Sequence, residues 1–578
     1  MENSILKKTE DISIVLCGKA GQGIQTVEQI LTRLLKLSGF HIFATKEYMS
    51  RVRGGSNSTE IRVSSNRVSS LLNRIDILIP FSAAALGHLK KRISNETLIL
   101  ADKEIIADNE DNKYLNWIDI SFSGIASDIG GAIYTNIISV GIIAGLFKVG
   151  ADELDHYIEQ FFSTGGKKSV EKNRSAVQKG YEIAQELLHS KKIQIDVAQN
   201  ADVSGEIIIN GAEAVGIGAI AGGCNFISSY PMSPSTSVLT FLSRNAENFN
   251  LIAEQVEDEI SAINMALGAW YAGGRAMVTT SGGGFALMEE AVGLAGMIES
   301  PMVIHVAQRP GPATGLPTRT EQGDLQLVLY SGHGEFPRII LAPGKLEDAA
   351  DLTHRAFNLA DKYQVPVFIL TDQYFIDSYY NIPSLNLSET HITQYIEKTD
   401  HDYKRYRLTK NGISPRGIPG YGEGLVLADS DEHDEKGHIT EDLDLRIAMV
   451  DKRLAKLTGI TEEAIPPELV GKKDYKVLLI GWGSTFHVIR EAMENLGRVD
   501  VALLHFKQVY PVHPGTLDYL KKAERTIVIE GNATCQFGSL VKITTGFDIR
   551  NKILKYNGIQ FTVEELTEQV KAILDQEG

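Results

Sequence analysis

Apolar and polar residues follow one another along this chain in a repeating order. Short apolar runs of strand length, such as ISIVLCG (12–18), RAMVTT (275–280) and DYKVLLIG (474–481), each lead into a glycine-containing turn and then into a helical pattern. Repetition of strand, turn and helix predicts an α/β fold, in which the loops after the strands carry the functional residues.

Changes in this pattern divide the chain into five segments. We expect an N-terminal α/β domain (1–190), a polar linker (191–204), a second α/β domain (205–395), a polar, irregular excursion (396–468) and a third α/β domain (469–578). Several domains are expected because 578 residues exceed what a single hydrophobic core supports.

The first strand ends in the glycine turn GKAGQG (18–23), which opens a helix. Such a turn offers backbone N–H groups to an anion. Its GxxGxG spacing differs from the dinucleotide fingerprint, however, and it is equally consistent with glycines that only allow the helix and strand to pack closely. Further on, Arg51 and Arg53 flank a Gly–Gly turn that is followed by three short polar residues. This group suits an anionic ligand, with a solvated hairpin as the competing interpretation.

The stretch EQVEDEISAINMALGAWYAGGRAMVTTSGGG (254–284) combines four acids, a small-residue helix, a strand and a triple glycine. On a helical wheel, Glu259 shares its face with Ile263 and Trp270, whereas Glu254 and Glu257 fall on more polar faces. A carboxylate on an apolar face is costly without a partner, which makes Glu259 a functional candidate. The alternative is an acid that is favoured at a helix N-terminus by the helix dipole.

The loop RPGPATGLPTRTEQGDLQ (309–326) follows directly after the predicted strand MVIHVAQ. It carries two arginines and several threonines at the strand end, where α/β sheets bind ligands. A surface excursion with unrelated charges is the alternative.

The net charge and the cysteine content of the chain exclude several classes of protein. A net charge of −16 and the lack of a basic stripe argue against nucleic acid as a partner. Three widely separated cysteines predict a reducing, cytoplasmic setting and no iron–sulfur cluster in this chain, and no apolar run is long enough to cross a membrane. His433 and His438 lie among aspartates and could bind a metal, but their spacing matches no common metal site. We therefore predict a solvated loop around them and no metal in this chain.

Together, the segments YPMSPST (230–236), 254–284 and QRPGPATGLPTRTEQGDL (308–325) resemble the α subunit of the 2-oxoacid:ferredoxin oxidoreductases. GKAGQG and RVRGGSNSTEIRVSS (51–65) are similar to the γ component of these enzymes, with Ala20 in place of a usual glycine. The segment EGNATCQ (530–536) looks like their C-terminal transketolase-like domain, although Cys535 replaces a usual glycine. The resemblance therefore implies a fused γ–α subunit: a γ-type domain, a thiamine-diphosphate pyrimidine-binding domain and a transketolase-like domain.

The resemblance also implies the chemistry. In this family thiamine diphosphate decarboxylates a 2-oxoacid, coenzyme A takes the acyl group and ferredoxin takes the electrons; 2-oxoglutarate to succinyl-CoA is the best match. The diphosphate motif, the Mg²⁺ ligands and the [4Fe-4S] cysteines of the family belong to a β subunit and are absent here, because Gly323-Asp324 lacks the downstream asparagines. We expect an (αβ)₂ heterotetramer that works with ferredoxin.

Family roles map onto this sequence residue by residue. Glu259 matches the glutamate that bonds the aminopyrimidine ring of the cofactor, and Ser233 and Arg309 match the residues that face the substrate carboxylate. The remaining expected roles are cofactor binding by Tyr230, Pro231, Gly282 and Gly283, binding of a second anionic group by Arg319 and Thr320, and coenzyme A phosphate binding by Arg51 and Arg53.

Two alternatives remain at this stage. The same scaffold could act on pyruvate or branched-chain oxoacids, in which case the second arginine would have no anionic partner. The chain could instead be a non-catalytic nucleotide-binding scaffold subunit that uses its glycine turns for a dinucleotide.

Overall fold

A computed structural model describes residues 6–19, 23–49, 55–107, 115–387 and 391–576. Its strands are β1 Leu6–Lys8, β2 Asp11–Lys19, β3 His41–Glu47, β4 Ser56–Ser64, β5 Ile77–Pro80, β6 Leu98–Ala101, β7 Trp117–Asp119, β8 Ile193–Ile195, β9 Ile207–Asn210, β10 Phe226–Ser229, β11 Ile252–Gln255, β12 Ala276–Thr280, β13 Met302–Gln308, β14 Ile339–Leu341, β15 Pro366–Asp372, β16 Tyr379–Ile382, β17 Glu468–Val470, β18 Val477–Trp482, β19 Val501–Phe506, β20 Gln508–Tyr510, β21 Arg525–Glu530 and β22 Asn551–Leu554.

The α-helices alternate with these strands, as the pattern predicted. They are α1 Ile24–Leu37, α2 Ala83–Leu89, α3 Lys103–Ala107, α4 Phe122–Ile129, α5 Thr135–Leu146, α6 Ala151–Phe162, α7 Lys167–His189, α8 Gly211–Ala221, α9 Thr236–Arg244, α10 Glu259–Tyr271, α11 Gly282–Phe285, α12 Glu289–Met297, α13 Leu325–Tyr330, α14 Leu346–Tyr363, α15 Gln373–Asp377, α16 Leu443–Glu462, α17 Phe486–Leu496, α18 Thr516–Lys522, α19 Gln536–Thr545 and α20 Val563–Asp575. The predicted α/β multidomain class is confirmed.

The chain divides into two compact units, and the first comprises the chain up to Ile209 together with Ser378–Ser384 and Thr562–Glu565. Its main sheet has eight strands in the order β7-β6-β5-β2-β4-β3-β16-β9. The half from β7 to β2 is parallel, and β2, β4, β3 and β16 pair antiparallel. A large apolar core that includes most of α5 packs within this unit.

The segment 191–204, predicted as a linker, is paired with the first unit in two places. Within it, β8 pairs in parallel with β1, and the N–H of Asn200 bonds the carbonyl of Gly39. Strand β16, which lies within the range predicted for the second domain (205–395), pairs with β3 of the first unit. Sequence pattern could not reveal either pairing, because both partners are distant in the chain.

The second unit contains a seven-stranded sheet in the order β11-β10-β12-β13-β15-β14-β20. Its strands pair in parallel, except for the antiparallel edge strand β20. The central strands β12, β13 and β15 are buried along their whole length, as expected of a sheet covered on both faces.

A five-stranded sheet, β17-β19-β18-β21-β22, lies in the same unit and forms the core of the predicted third domain. Strand β20, although it follows β19 directly, pairs with β14 of the seven-stranded sheet through Ile340 and Tyr510. The second and third predicted domains therefore share one sheet edge.

The excursion 396–468 is ordered by buried ion pairs. Lys452 and Lys456 of α16 contact the carboxylate of Glu299 at 2.5 and 2.6 Å, and all three side chains are about 1% exposed. His433 is buried as well, with its ring centroid 3.9 Å from that of Tyr406. Its prediction as part of a solvated loop is wrong, because an aromatic ring covers it.

Among the described helices, none is by itself both long and apolar enough to span a membrane. One pair, Phe122–Ile129 with Ala132–Leu146, meets the length and composition criterion when the two are taken together, with a bend of 119° at the break.

Candidate active site

The predicted site residues gather at the carboxyl ends of four neighbouring parallel strands. Strand β11 is followed by Glu259, β10 by the turn Tyr230–Ser233, β12 by Ser281 and the triple glycine, and β13 by Arg309. Carboxyl ends of parallel strands share one sheet edge, which is where α/β sheets bind ligands. The strand order therefore assembles segments that are up to 80 residues apart in sequence.

Glu259 is the first residue of α10 and is only 3% exposed. The carboxylate of Asp258 caps this helix by accepting a hydrogen bond from the Ser261 N–H at 2.7 Å, so Glu259 is not needed as the cap. Ile263 and Trp270 on its helical face are fully buried, which confirms the helical-wheel prediction for Glu259. Glu254 and Glu257 are exposed, but Glu254 lies in β11 and Glu257 before the helix, so the helix faces predicted for them are wrong. The oxygen Glu259 Oε1 is buried and accepts no hydrogen bond from the described residues.

The triple glycine brings the backbone close to two carboxyl groups. A Cβ atom on Gly284 would lie 2.5 Å from Glu259 Oε1, and one on Gly282 would lie 2.2 Å from Asp324 Oδ2. Real Cβ atoms do not approach oxygen that closely, so a glycine is required at both positions unless the carboxyl groups move. Ser281, which precedes the turn, also has a buried hydroxyl without a hydrogen-bond partner among the described residues.

Arg309 connects the turn after β10 with the acids of the site. Its Nη1 donates to the backbone carbonyl of Ser233 at 2.8 Å. Burial lowers the pKa of Arg309, and the charges of Asp324 and Glu259 oppose that shift. Arg309 and Ser233, which were both predicted to face the substrate carboxylate, are thus in contact with each other through the Ser233 carbonyl.

Asp324 is a buried acid that the sequence analysis considered only for its failure to match a diphosphate motif. Its backbone N–H bonds Gln308 Oε1 at 3.0 Å, and its Oδ2 is buried with no hydrogen-bond partner among the described residues. Burial, and to a lesser extent the charge of Glu321, raise the pKa of Asp324 to about 7 against the opposing charge of Arg309. The sequence feature that could have indicated Asp324 as a site residue is its position at the end of a Pro- and Gly-rich loop, directly before an apolar helix.

The loop after β13 is held by the five-stranded sheet and its connections. Gln322 bonds the Trp482 carbonyl through Nε2 at 2.9 Å and receives the Gly531 N–H on Oε1 at 2.8 Å. Gln536 donates to the Gly323 carbonyl at 2.7 Å and accepts from the Gln326 N–H at 3.0 Å. The segment EGNATCQ thus serves to fix this loop.

Thr320 and Arg319 occupy the same loop. The Thr320 hydroxyl donates to Asp372 Oδ1 at 3.1 Å and accepts the Tyr374 N–H at 3.2 Å. Arg319 is half-buried, and its Cβ is 3.2 Å from the position of a Cβ on Gly558. Thr320 therefore secures the loop, while the guanidinium of Arg319 is the anion-binding candidate of this pair.

The remaining predicted residues divide into two groups. Tyr230 is 39% exposed and Pro231 is half-buried, both in the turn after β10. Arg51 and Arg53 lie outside the described residues. Within the described ranges, no group of three or more His, Cys, Asp and Glu side chains is arranged to hold a metal ion.

Comparison with known proteins identifies the family. The α subunit of a 2-oxoacid:ferredoxin oxidoreductase from a Sulfolobus species is 32% identical, and the match covers 98% of each chain. The chain belongs to the 2-oxoacid:ferredoxin oxidoreductases. It is an α subunit of this oxidoreductase family, and it matches family models in both units.

Residues 217–452 match the thiamine diphosphate-binding model of pyruvate flavodoxin/ferredoxin oxidoreductases. Residues 13–183 match the pyruvate ferredoxin/flavodoxin oxidoreductase model. The site described above falls inside the thiamine diphosphate-binding domain, apart from the anchoring residues of the five-stranded sheet.

Two further relatives carry more specific names. The 2-oxoglutarate synthase subunit KorA of Archaeoglobus fulgidus is 31% identical, over 64% of this chain and 99% of that protein. The solved structure of 2-oxoglutarate:ferredoxin oxidoreductase from Magnetococcus marinus, with 2-oxoglutarate, coenzyme A and succinyl-CoA bound, superimposes with a TM-score of 0.90 at 30% identity, covering 98% of this chain and 100% of that one.

Proposed function

We propose that this oxidoreductase α subunit is a fused γ–α chain that converts 2-oxoglutarate and coenzyme A into succinyl-CoA and CO₂, with electrons passing to ferredoxin. The observation that carries the proposal is the buried oxygen of Glu259, which has no hydrogen-bond partner among the described residues and lies beside a triple glycine at the carboxyl edge of the sheet. The full-length superposition on the Magnetococcus marinus enzyme supports the choice of reaction.

The residues of the site fit the aminopyrimidine half of thiamine diphosphate. A buried carboxylate oxygen without a partner is expensive, and a ring nitrogen that shares a proton with Glu259 Oε1 would remove that cost. The room for a flat ring is at Gly283, where a Cβ atom would meet only the Ala313 carbonyl at 3.5 Å; at Gly282 the corresponding space is filled by the Asp324 carboxyl group, so Gly282 would meet the ring through its backbone. Tyr230 and Pro231 would line the same position from the turn after β10.

When bound, the cofactor supplies the nucleophilic carbon and the electron sink that decarboxylation of a 2-oxoacid requires. Glu259 holds the proton at Oε1 that is shared with the aminopyrimidine. Arg309 binds the carboxylate of the 2-oxoacid, and its bond to the Ser233 carbonyl fixes its orientation. The hydroxyl of Ser233 is available as a second donor to the same carboxylate.

The proposed substrate carries a second carboxylate, which needs its own cation. Arg319 is the candidate, because it lies on the loop that begins at Arg309 and because the hydroxyl of Thr320 is already bonded to Asp372. The relatives named for 2-oxoglutarate support this assignment. Pyruvate and branched-chain 2-oxoacids are the alternative substrates, for which Arg319 would have no role.

A β subunit is expected to complete the site with the diphosphate and Mg²⁺ ligands and an iron–sulfur cluster, in an (αβ)₂ assembly. Each site segment carries an exposed apolar side chain that a partner could cover: Tyr230, Ile260, Leu287 and Leu316, between 39% and 53% exposed.

The coenzyme A phosphates are proposed to meet Arg51 and Arg53 of the γ-type domain. The free, buried state of all three cysteines suits the cytoplasm.

Replacement of Glu259 tests the proposal. In the complex with its β subunit, Glu259→Gln should lower 2-oxoglutarate-dependent reduction of ferredoxin by about 100-fold or more, because an amide cannot hold the shared proton. Exchange of the C2 proton of bound thiamine diphosphate, followed by NMR, should slow in parallel. Glu257→Gln, which changes an exposed carboxylate two residues earlier, is the matched control. Near-normal turnover in Glu259→Gln would contradict the proposed function.

A panel of 2-oxoacids tests the substrate. The complex should prefer 2-oxoglutarate to pyruvate and branched-chain 2-oxoacids. Arg319→Ala should raise KM for 2-oxoglutarate by about tenfold or more while it leaves pyruvate nearly unaffected, because only 2-oxoglutarate has the distal carboxylate. An equal effect on both substrates would remove Arg319 from this role.

A further inference from the structure

Asp324 is the second acid at the triple glycine, and the proposed reaction leaves it without a task. Its carboxyl group is packed so closely against Gly282 that no side chain could stand there, and its buried Oδ2 accepts no hydrogen bond from the described residues. A carboxyl group in this setting is costly to keep charged, and the cost falls if the group holds a proton.

The position of Asp324 is fixed by its own loop. Its backbone N–H bonds Gln308 at the end of β13, and two residues earlier Gln322 is tied to Trp482 and Gly531. These contacts fix the backbone of Asp324 beside the end of β13, one residue from Arg309. From this backbone position its carboxyl group reaches the buried place against Gly282.

Arg309 is influenced by both acids of the site. The charges of Asp324 and Glu259 both act on its guanidinium, whereas its hydrogen bond to Ser233 goes to a neutral carbonyl. The net charge around Arg309 therefore depends on whether Asp324 is ionised.

We propose that Asp324 is a positioning residue that controls the charge available at Arg309. Protonated Asp324 leaves the guanidinium available to the carboxylate of an incoming 2-oxoacid, and ionised Asp324 competes for it. The inference rests on the proposed role of Arg309 in binding the substrate carboxylate. Under this inference, the carboxyl group of Asp324 must hold a proton when the 2-oxoacid binds.

The charged groups around Asp324 set the direction of the pH dependence. Glu321 on the same loop favours the protonated form, Arg309 after β13 favours the ionised form, and Glu259 on α10 acts through Arg309. The glycine turn contributes no side chain. Because burial raises the pKa of Asp324 to about 7, the acid is protonated below neutral pH and ionises above it.

The test uses the complete complex with 2-oxoglutarate. In the wild-type complex, kcat/KM should fall above about pH 7 through a rise in KM, by up to about tenfold for each pH unit. Asp324→Asn keeps the shape of the side chain but cannot ionise, so this fall should disappear, and its KM at about pH 8.5 should be roughly 3- to 30-fold lower than that of the wild type. Asp351→Asn, an exposed change on α14, should retain the wild-type profile.

Two further measurements keep the test decisive if Asp324→Asn fails to assemble. Glu321→Gln removes a charge that favours the protonated form, so the fall in kcat/KM should move to lower pH. Infrared difference spectra of the complex, titrated from about pH 6 to about pH 9, should show loss of the C=O stretch of one protonated carboxyl group.

An unchanged fall in Asp324→Asn or an unmoved fall in Glu321→Gln would overturn the inference. These failures are distinct from failure of the proposed function. If Glu259→Gln abolishes turnover while Asp324→Asn keeps the wild-type pH profile, only the role of Asp324 is lost; if Glu259→Gln is fully active, the function itself is wrong.

Discussion

Gly284 faces the carboxyl group of Glu259 so closely that a Cβ atom at this glycine would lie 2.5 Å from Glu259 Oε1. The same Cβ would lie 2.3 Å from the Thr280 hydroxyl. A glycine is therefore needed at this position, because the Glu259 carboxyl group and the Thr280 hydroxyl occupy the space that a side chain would fill.

Gly284→Ala should displace Glu259. We expect kcat to fall by about tenfold or more, with a loss of about 1–3 kcal/mol in the free energy of unfolding from overpacking. Steady-state kinetics and denaturation of the complex measure the two effects. Gly268→Ala on α10 is the control, because its Cβ would meet nothing within 4 Å, and it should keep full activity. Full activity in Gly284→Ala would show that the position of Glu259 does not matter.

Arg309→Ala should act mainly on substrate binding. The guanidinium binds a carboxylate that is present throughout the reaction, so its loss should raise KM for the 2-oxoacid by about 10- to 100-fold and change kcat less. Arg244→Ala, at the exposed end of α9, serves as the control. An unchanged KM would mean that Arg309 does not hold the substrate.

The burial of Glu259 could be predicted from sequence because it depends on helical periodicity, which also places Ile263 and Trp270 on the same face. The order of strands and glycine turns likewise gave the α/β class. The environment of Asp324 could not be predicted, because its loop is held by a bond between Gln322 and Gly531, 209 residues later. Such loop positions depend on tertiary contacts that leave no local periodicity.

The excursion 396–468 illustrates the same limit. Its polar sequence predicted an ordered, irregular excursion without a compact core, yet Lys452 and Lys456 are buried beside the carboxylate of Glu299. Only the fold brings that glutamate to α16. Lysines are rarely fully buried, so the sequence alone would place the face of α16 that carries Lys452 and Lys456 toward solvent, whereas the fold buries it.

Glu299→Gln should destabilise the chain strongly. It leaves two buried lysines without their counter-charge, which we expect to cost about 3–5 kcal/mol in the free energy of unfolding at neutral pH. Guanidinium denaturation measures the loss. Glu524→Gln, which breaks an exposed ion pair with Lys476, should change stability far less. A loss no larger than that of Glu524→Gln would contradict a structural role for the cluster.

The pH dependence of this loss follows from Glu299. Burial by itself would raise the pKa of Glu299, but the charges of Lys456, Lys452 and Arg405 outweigh it and hold the pKa well below the usual range. A lowered carboxyl pKa stabilises the fold above the unfolded-state value and loses that effect as pH falls. The difference between the wild type and Glu299→Gln should persist down to about pH 5 and narrow below about pH 4.

Gln322→Ala should loosen the loop that carries Arg319 and Asp324. The side chain makes two hydrogen bonds to backbone groups of the five-stranded sheet region, at Trp482 and Gly531, and its loss leaves both groups unpaired. We expect a cost of about 1–3 kcal/mol and a fall of about tenfold in kcat/KM, because the loop no longer holds its residues in one geometry.

Amide hydrogen exchange over residues 309–326 measures the loosening directly, and exchange there should become faster in Gln322→Ala. Gln322→Glu should be intermediate, because it keeps the acceptor for the Gly531 N–H and loses the donor to Trp482. Gln326→Ala is the matched control on the same loop, since its exposed side chain can be removed while its backbone N–H still bonds Gln536. If exchange and kcat/KM in Gln322→Ala equal those of Gln326→Ala, the five-stranded sheet does not position the active-site loop.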